Sequence, residues 1–205
     1  MSTLKLTGSS SGSTSLQAPA SGSDRVITFP DTAGTVALTS SAGKILQVVS
    51  NTKTDIFSST AVQSWTDIGG VDQAGSGSIF CVKITPSATS SKILIHTTLT
   101  YGTDNGASML IFRLMRDSTG IAIADAANDR PRGTFAGDPK EDAYLANAGF
   151  THLDSPSSTS ELTYNIEFYD YHGNTFYVNR SYRHWDASTY DFVGSSNITV
   201  MEVAG

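Results

Sequence analysis

The sequence predicts an all-β protein: an antiparallel, jelly-roll-like β-sandwich preceded by an extended N-terminal arm. Apolar and polar residues alternate with a period of two in several segments beyond residue 43, as in strands with one buried face. Hydrophobic residues are 39% and charged residues 16% of the 205 residues, and Ser, Thr, Gly and Asn are abundant. This composition favours short strands and polar turns. No segment shows a helical apolar stripe with caps, and residues 141–147 suffice for one turn at most.

Residues 1–43 form the predicted arm, which differs in composition from the rest of the chain. It holds 17 Ser or Thr, five Gly and four charged residues, so it cannot bury much apolar surface alone. Strand-like pieces nevertheless recur between turn clusters, at 4–6, 16–18, 26–29 and 36–38. A flexible linker is one interpretation. An arm that orders only against partner chains, by strand addition, is the other, and the apolar Val26, Ile27 and Phe29 favour it.

Residues 44–205 form the predicted β-sandwich. In the segment 92–101, Ile93, Ile95 and Leu99 share one face, and residues 162–169 alternate in the same way. Further strands are predicted at 44–50, 64–68, 79–85, 108–116, 175–180 and 196–203, with turn signals between them. Trp65 lies in one of these short strands and is expected in the core. About eight short strands with polar turns are typical of a sandwich.

The segment 109–115 departs from this alternation because both of its faces are apolar. Met109, Ile111 and Met115 share the face opposite Leu110 and Leu114. Such a strand is either central and covered twice or lies at a subunit interface. A two-layer sandwich has nothing further to cover its outer face, so the sequence favours an oligomer with Met109, Ile111 and Met115 as interface candidates.

Charge and cysteine content exclude several classes of function. The net charge of −6 argues against a nucleic-acid or anionic-membrane partner. The sequence shows neither a run of apolar residues long enough for membrane insertion nor the pattern of a secretory signal. The lone cysteine, Cys81, excludes a disulfide framework, and between Phe80 and Val82 it is expected to be a buried, inert thiol.

No metal site or cofactor is predicted. The four histidines form no HxH or HExxH pattern: His96, His152, His172 and His184. An acidic loop contains Asp138, Glu141 and Asp142, but its spacing does not match a calcium loop and Lys140 lies among the carboxylates. A solvated loop is the better interpretation.

Aromatic residues are concentrated near the C-terminal end, with ten of the 19 between Tyr164 and Phe192. Aromatic planes beside carboxylates and guanidinium groups suit sugar recognition, because rings stack on sugars while hydroxyls are hydrogen-bonded. They equally suit a protein interface or ordinary loop packing. The residues predicted to contact a receptor are Tyr182, His184, Trp185 and Tyr190.

Several segments resemble virion proteins of phages, cyanophages especially. Residues 15–20, 26–30 and 34–38 look like the N-terminal segment of tail-fibre and related proteins. Residues 43–48, 64–68, 91–94, 113–117, 177–181 and 198–203 resemble the β-domain that follows it. The resemblance covers nearly the whole chain and includes no catalytic residue. The loop 124–147 and the stretch 182–192 match no such pattern, as expected of a surface that varies with the receptor.

The resemblance implies a non-enzymatic, homotrimeric virion protein that is assembled in the host cytoplasm. The expected form is a short fibre whose arm docks to other virion proteins and whose β-domain projects toward the host surface, where a polysaccharide is a candidate partner. A head fibre or capsid decoration protein is the alternative.

A polysaccharide-degrading tail spike is the alternative of another class. It would need two carboxylates across a sugar cleft. The candidates are Asp154, Glu167, Asp170, Asp186 and Asp191, and the sequence places none of them relative to another.

Overall fold

The structure is a computed structural model that describes residues 3–7, 13–17, 44–105, 109–139, 144–184 and 191–205. These residues contain strands and no helix, so none that could span a membrane. The chain divides into two compact units, Met1–Thr39 and Ser40–Gly205. The strands are β1 (Thr3–Thr7), β2 (Ser13–Gln17), β3 (Ile45–Lys53), β4 (Phe57–Ser59), β5 (Thr66–Asp67), β6 (Cys81–Ile84), β7 (Lys92–Thr103), β8 (Leu110–Arg116), β9 (Thr119–Ile121), β10 (Phe135–Gly137), β11 (Ala146–Asp154), β12 (Leu162–Asp170), β13 (Phe176–Val178) and β14 (Ser196–Val203).

In the first unit, β1 and β2 pair antiparallel, from Thr3 opposite Gln17 to Thr7 opposite Ser13. The predicted arm therefore contains a strand pair within one chain, at two of the strand-like pieces that the sequence predicts, 4–6 and 16–18. Ordering of the arm against partner chains stays a prediction. The backbone groups of two short strands satisfy each other in this pairing. The apolar segments 26–29 and 36–38 lie outside the described residues.

The second unit contains two antiparallel sheets. The first sheet runs β3-β14-β7-β13-β4, with β11 on the other edge of β7. The second sheet runs β10-β8-β12-β5, and there β9 also pairs with β8 and β6 with β12. Between the sheets, rings from opposite layers meet: Phe168 stacks on Phe176 at 4.3 Å, and Tyr101 contacts Phe112 edge-on at 5.1 Å. The predicted antiparallel β-sandwich is confirmed.

The core follows the alternation seen in the sequence. Ile93, Ile95 and Leu99 of β7 are fully buried, as are Ile166 and Phe168 of β12. All buried residues of this core cluster lie between Ile68 and Val200. Among the described residues, those of the second unit thus form the hydrophobic core cluster of the sandwich.

Four strands were not predicted from the sequence: β4, β9, β10 and β11. The largest of them, β11, has the sequence ANAGFTHLD and pairs along its whole length with β7. Ala, Asn and Gly have low strand propensity, so the central β7 rather than local preference determines this strand. Segment 141–147 was assigned one helical turn at most, and its last two residues begin β11.

Candidate functional site

The predicted interface residues Met109, Ile111 and Met115 differ in exposure. Met109, just before β8, is 60% exposed, Ile111 is half-buried and Met115 is 4% exposed. Met115 is therefore covered within a single chain and needs no neighbouring subunit. The prediction that the outer face of this strand has nothing else to cover it is wrong for Met115.

The cover on the outer face of β8 comes from residues near the β9 strand and the loop that follows it. Ile123 packs against Gly120, and the Sδ of Met115 lies 3.7 Å from the position that a Cβ on Gly120 would occupy. Gly133 approaches Ile111 so closely that a side chain there would overlap it. Both faces of β8 are therefore covered at its C-terminal end. Of the three predicted interface residues, Met109 is the one that is largely exposed.

A second exposed apolar surface crosses the outer face of the first sheet. Val48, Met201, Leu94 and Leu153 lie side by side in the register of four neighbouring strands. Val48 is 56% and Leu153 46% exposed, and the other two side chains are half-buried. No local pattern in the sequence indicates this row, because its residues come from four separate segments.

The predicted receptor-contact residues lie near the C-terminal end of the chain, and the structure describes two of the four. Tyr182 is 45% exposed and His184 is exposed, whereas Trp185 and Tyr190 lie outside the described residues. The ring of Tyr182 lies near that of the buried Tyr177, with 6.1 Å between their centroids. The Arg180 guanidinium lies over the Tyr177 ring, 4.2 Å from its centroid.

Exposed side chains of residues 191–193 extend this region. The backbones of Arg180 and Val193 form an isolated antiparallel β-bridge, and the Ser181 hydroxyl donates to Asp191 at 2.8 Å. The two segments therefore lie side by side. Phe192 and Val193 are 68% and 70% exposed. We call residues 180–184 and 191–193 the terminal surface.

A different aromatic and charged set comes together on the outer face of the second sheet, and we call it the Trp65 cluster. Its members belong to, or directly flank, β5, β8 and β12: Trp65, Asp67, Arg113, Asn165, Glu167 and Tyr169. Two cross-strand rows build it. In one row, Arg113 lies opposite Glu167, which lies opposite Asp67; in the other, Tyr169 lies beside Trp65.

Direct contacts hold the Trp65 cluster together. The Arg113 guanidinium pairs with Glu167 and lies over the Trp65 ring, 4.3 Å from its centroid. The Trp65 and Tyr169 rings are 5.4 Å apart at an angle of 49°. Asn165 Nδ2 donates to Asp67 Oδ1 at 2.6 Å. Asn165 is buried, whereas the aromatic rings, Arg113, Glu167 and Asp67 are half-buried and present part of their surface to solvent.

The two carboxylates of the cluster are electrostatic neighbours. Burial raises the pKa of Asp67 above its ordinary value, and the nearby Glu167 carboxylate raises it further. Arg113 and the Asn165 amide act in the opposite direction and do not cancel the effect. With two carboxylates and one guanidinium, the cluster has an excess of negative charge when ionised.

Trp65 was expected in the core, and this prediction is wrong. Thr66 lies opposite the buried Phe168, and Asp67 lies opposite Glu167 on the outer face. Trp65 shares the outer face with Asp67 because side chains alternate along a strand. The spacing Trp65-x-Asp67 beside the buried Ile68 was a signal for this placement, and the usual preference of tryptophan for burial obscured it.

The carboxylates considered for a polysaccharide-degrading spike have partners within the fold. Asp154 accepts from Arg116 Nη1 and from the Tyr164 hydroxyl, both at 2.8 Å. Asp170 is fully buried and accepts from the backbone N–H groups of His172 and Asn174, which fixes a turn.

Of the remaining three, Asp191 accepts from Ser181, Glu167 pairs with Arg113, and Asp186 lies outside the described residues.

Within the described residues, no three His, Cys, Asp or Glu side chains come together as a metal site requires. Glu141 and Asp142 of the acidic loop lie outside those residues. Cys81 is buried, and burial raises the pKa of its thiol, so its thiolate is disfavoured at neutral pH.

No family model matches the chain, and no curated protein matches its sequence. Among solved structures, the chain is similar to a chain in a structure of the infectious bursal disease virus Gx strain, with 17% sequence identity and a TM-score of 0.36. The similarity covers 98% of this chain and 40% of that chain.

Proposed function

We propose that the chain is a non-enzymatic structural protein of a phage virion. In this proposal it is a short fibre: residues 1–43 dock to other virion proteins, and the β-sandwich of residues 44–205 projects toward the host surface. The resemblance of both segments to phage tail-fibre and related virion proteins suggests this function.

The observation that carries the proposal is the core cluster of the sandwich, whose described members all belong to residues 44–205. Its buried members span Ile68 to Val200, and the partly buried residues packed on them begin at Val49. We expect the β-domain to keep its stability without residues 1–43. Those residues are then free to serve attachment, as the composition of the arm suggests.

The partners of the carboxylates favour a binding protein over a polysaccharide-degrading spike. Asp154 and Asp170 are both buried. Asp154 pairs with Arg116, and Asp170 accepts from backbone N–H groups of the turn after β12. A glycosidase needs two carboxyl groups that reach the same glycosidic bond from opposite sides. Within the described residues, the cross-strand pair Asp67 and Glu167 lies side by side on one sheet face instead.

A homotrimer is part of the proposal. The exposed Met109 and the row containing Val48 and Leu153 are apolar surfaces of the kind that subunits cover. The terminal surface, with its exposed Tyr182 and Phe192, is the proposed contact for a host or virion protein.

Immunogold labelling of intact particles tests the function. An antibody raised against residues 44–205 should label the tail at its periphery. Label on the head would instead favour the head-fibre or decoration alternative, and particles without label would contradict a virion role. Release of reducing ends from host polysaccharide by the purified chain would identify an enzyme.

A further inference from the structure

We propose that the Trp65 cluster is a binding site for a neutral, hydroxyl-rich sugar. The inference deepens the proposed function, on which it rests, by naming the class of host-surface molecule that the β-domain contacts. It places sugar recognition on the outer face of the second sheet rather than at the terminal surface.

The aromatic half of the cluster offers an apolar platform. Trp65 and Tyr169 lie 5.4 Å apart on the outer face of the sheet, and both residues are half-buried. Arg113 lies over the Trp65 ring and pairs with Glu167, so these side chains are held in place before any ligand arrives. A preorganised site loses less entropy on binding than one whose side chains must first be ordered.

The polar half of the cluster supplies mostly acceptors. Two ionised carboxylates accept hydrogen bonds only, and the Asn165 amide and the Arg113 guanidinium already donate to them. Each carboxylate oxygen can accept more than one hydrogen bond, so sugar hydroxyls match the remaining acceptors as donors. The excess of negative charge disfavours uronic-acid or sulfated sugars and leaves neutral ones as the matching class.

Asp67 is poorly explained as a stabilising residue. The ionised carboxylate is partly desolvated beside Glu167, and its raised pKa means that ionisation at neutral pH costs stability. An uncharged residue would suit the fold better at this position. A carboxylate whose ionisation costs stability, placed beside aromatic rings on the outer face of a sheet, is typical of functional sites.

The test measures binding of the full chain to immobilised neutral hexose and N-acetylhexosamine oligosaccharides, with uronic-acid and sulfated oligosaccharides for comparison. We expect binding to at least one neutral oligosaccharide. Trp65→Ala and Asp67→Asn should each weaken that binding at least about tenfold, since a few anchors dominate small sites.

The Asp67→Asn variant guards against a trivial loss through unfolding. Asparagine keeps an acceptor for Asn165 and removes the repulsion by Glu167, so the melting temperature should stay the same or rise while affinity falls. A merely structural carboxylate would not show this combination. Tyr171→Ala is the matched control, because Tyr171 is a 51% exposed tyrosine close in sequence but outside the cluster; its binding should equal that of the wild type.

Several results would overturn the site: no neutral oligosaccharide bound, anionic oligosaccharides alone bound, or binding insensitive to both cluster variants. Loss of binding in Tyr182→Ala alone would move the sugar to the terminal surface and equally overturn it. Immunogold labelling of particles needs no sugar, so a positive label with a failed binding assay separates this inference from the proposed function.

Discussion

Glu202→Gln tests how the sandwich holds the connection between its two sheets. Glu202 on β14 is 1% exposed. Its Oε1 accepts from Ser87 N at 2.7 Å and from the hydroxyls of Ser87 and Ser91 at 2.6 Å, and Gln47 Nε2 donates to Oε2 at 2.7 Å. One carboxylate thus fixes the loop that leads from β6 in the second sheet to β7 in the first.

The pKa of Glu202 gives the size of the effect. Burial alone raises it, but the hydrogen bonds from Ser87, Ser91 and Gln47 outweigh burial and lower it from the ordinary 4.5 to about 2. At about 1.4 kcal/mol per pKa unit, this shift favours the folded, ionised form by about 3.5 kcal/mol. We expect Glu202→Gln to lose about 2–3 kcal/mol at pH 7, because glutamine keeps one acceptor but turns an amide toward Gln47.

The dependence on pH follows from the direction of the shift. The folded-state pKa lies below the unfolded one, so the stabilisation is complete above pH 4.5 and is lost as the pH falls toward 2. Chemical denaturation at pH 7, 4 and 3 measures it. The gap between wild type and Glu202→Gln should narrow as the pH falls.

Glu161→Gln is the control, because Glu161 is exposed. Its free energy of unfolding at pH 7 should equal that of the wild type. Equal stability of Glu202→Gln and wild type at pH 7, or a gap that does not change with pH, would refute the reasoning.

Three further predictions concern assembly, reactivity and a buried network. Met109→Asp should dissociate the proposed trimer in light scattering, whereas Val62→Asp, at a 46% exposed apolar residue outside both proposed subunit surfaces, should not; a monomeric wild type would contradict the trimer. Cys81 should react with a thiol reagent only under unfolding conditions, because it is buried and burial raises its pKa; rapid reaction in buffer would show it to be accessible. Asp154→Ala should cost about 2–3 kcal/mol in denaturant titrations, because it leaves Arg116 and the Tyr164 hydroxyl without their acceptor.

Alternation of apolar residues was enough to predict the central strands. β7 and β12 have clear periods of two, and their inward apolar residues are buried. Local pattern could not predict β11, whose Ala146, Ala148 and Gly149 have little strand preference and depend on pairing with β7.

The candidate site was less predictable than the fold. The Trp65 cluster joins residues about 50 to 100 positions apart through strand register, which no local pattern reveals. The sequence also predicts the wrong environment for Met115. Met115 and Ile123 both lie close to Gly120, and Ile123 belongs to a loop whose path the sequence does not specify.

The most direct test of the central claim compares particles assembled with the full chain and with residues 44–205 alone. The two proteins should have the same melting temperature, because the core lies between Ile68 and Val200. Mass spectrometry of purified particles should detect the full chain and not the fragment. Equal incorporation of the fragment would contradict docking through the arm, and a much lower melting temperature would show that the arm belongs to the core.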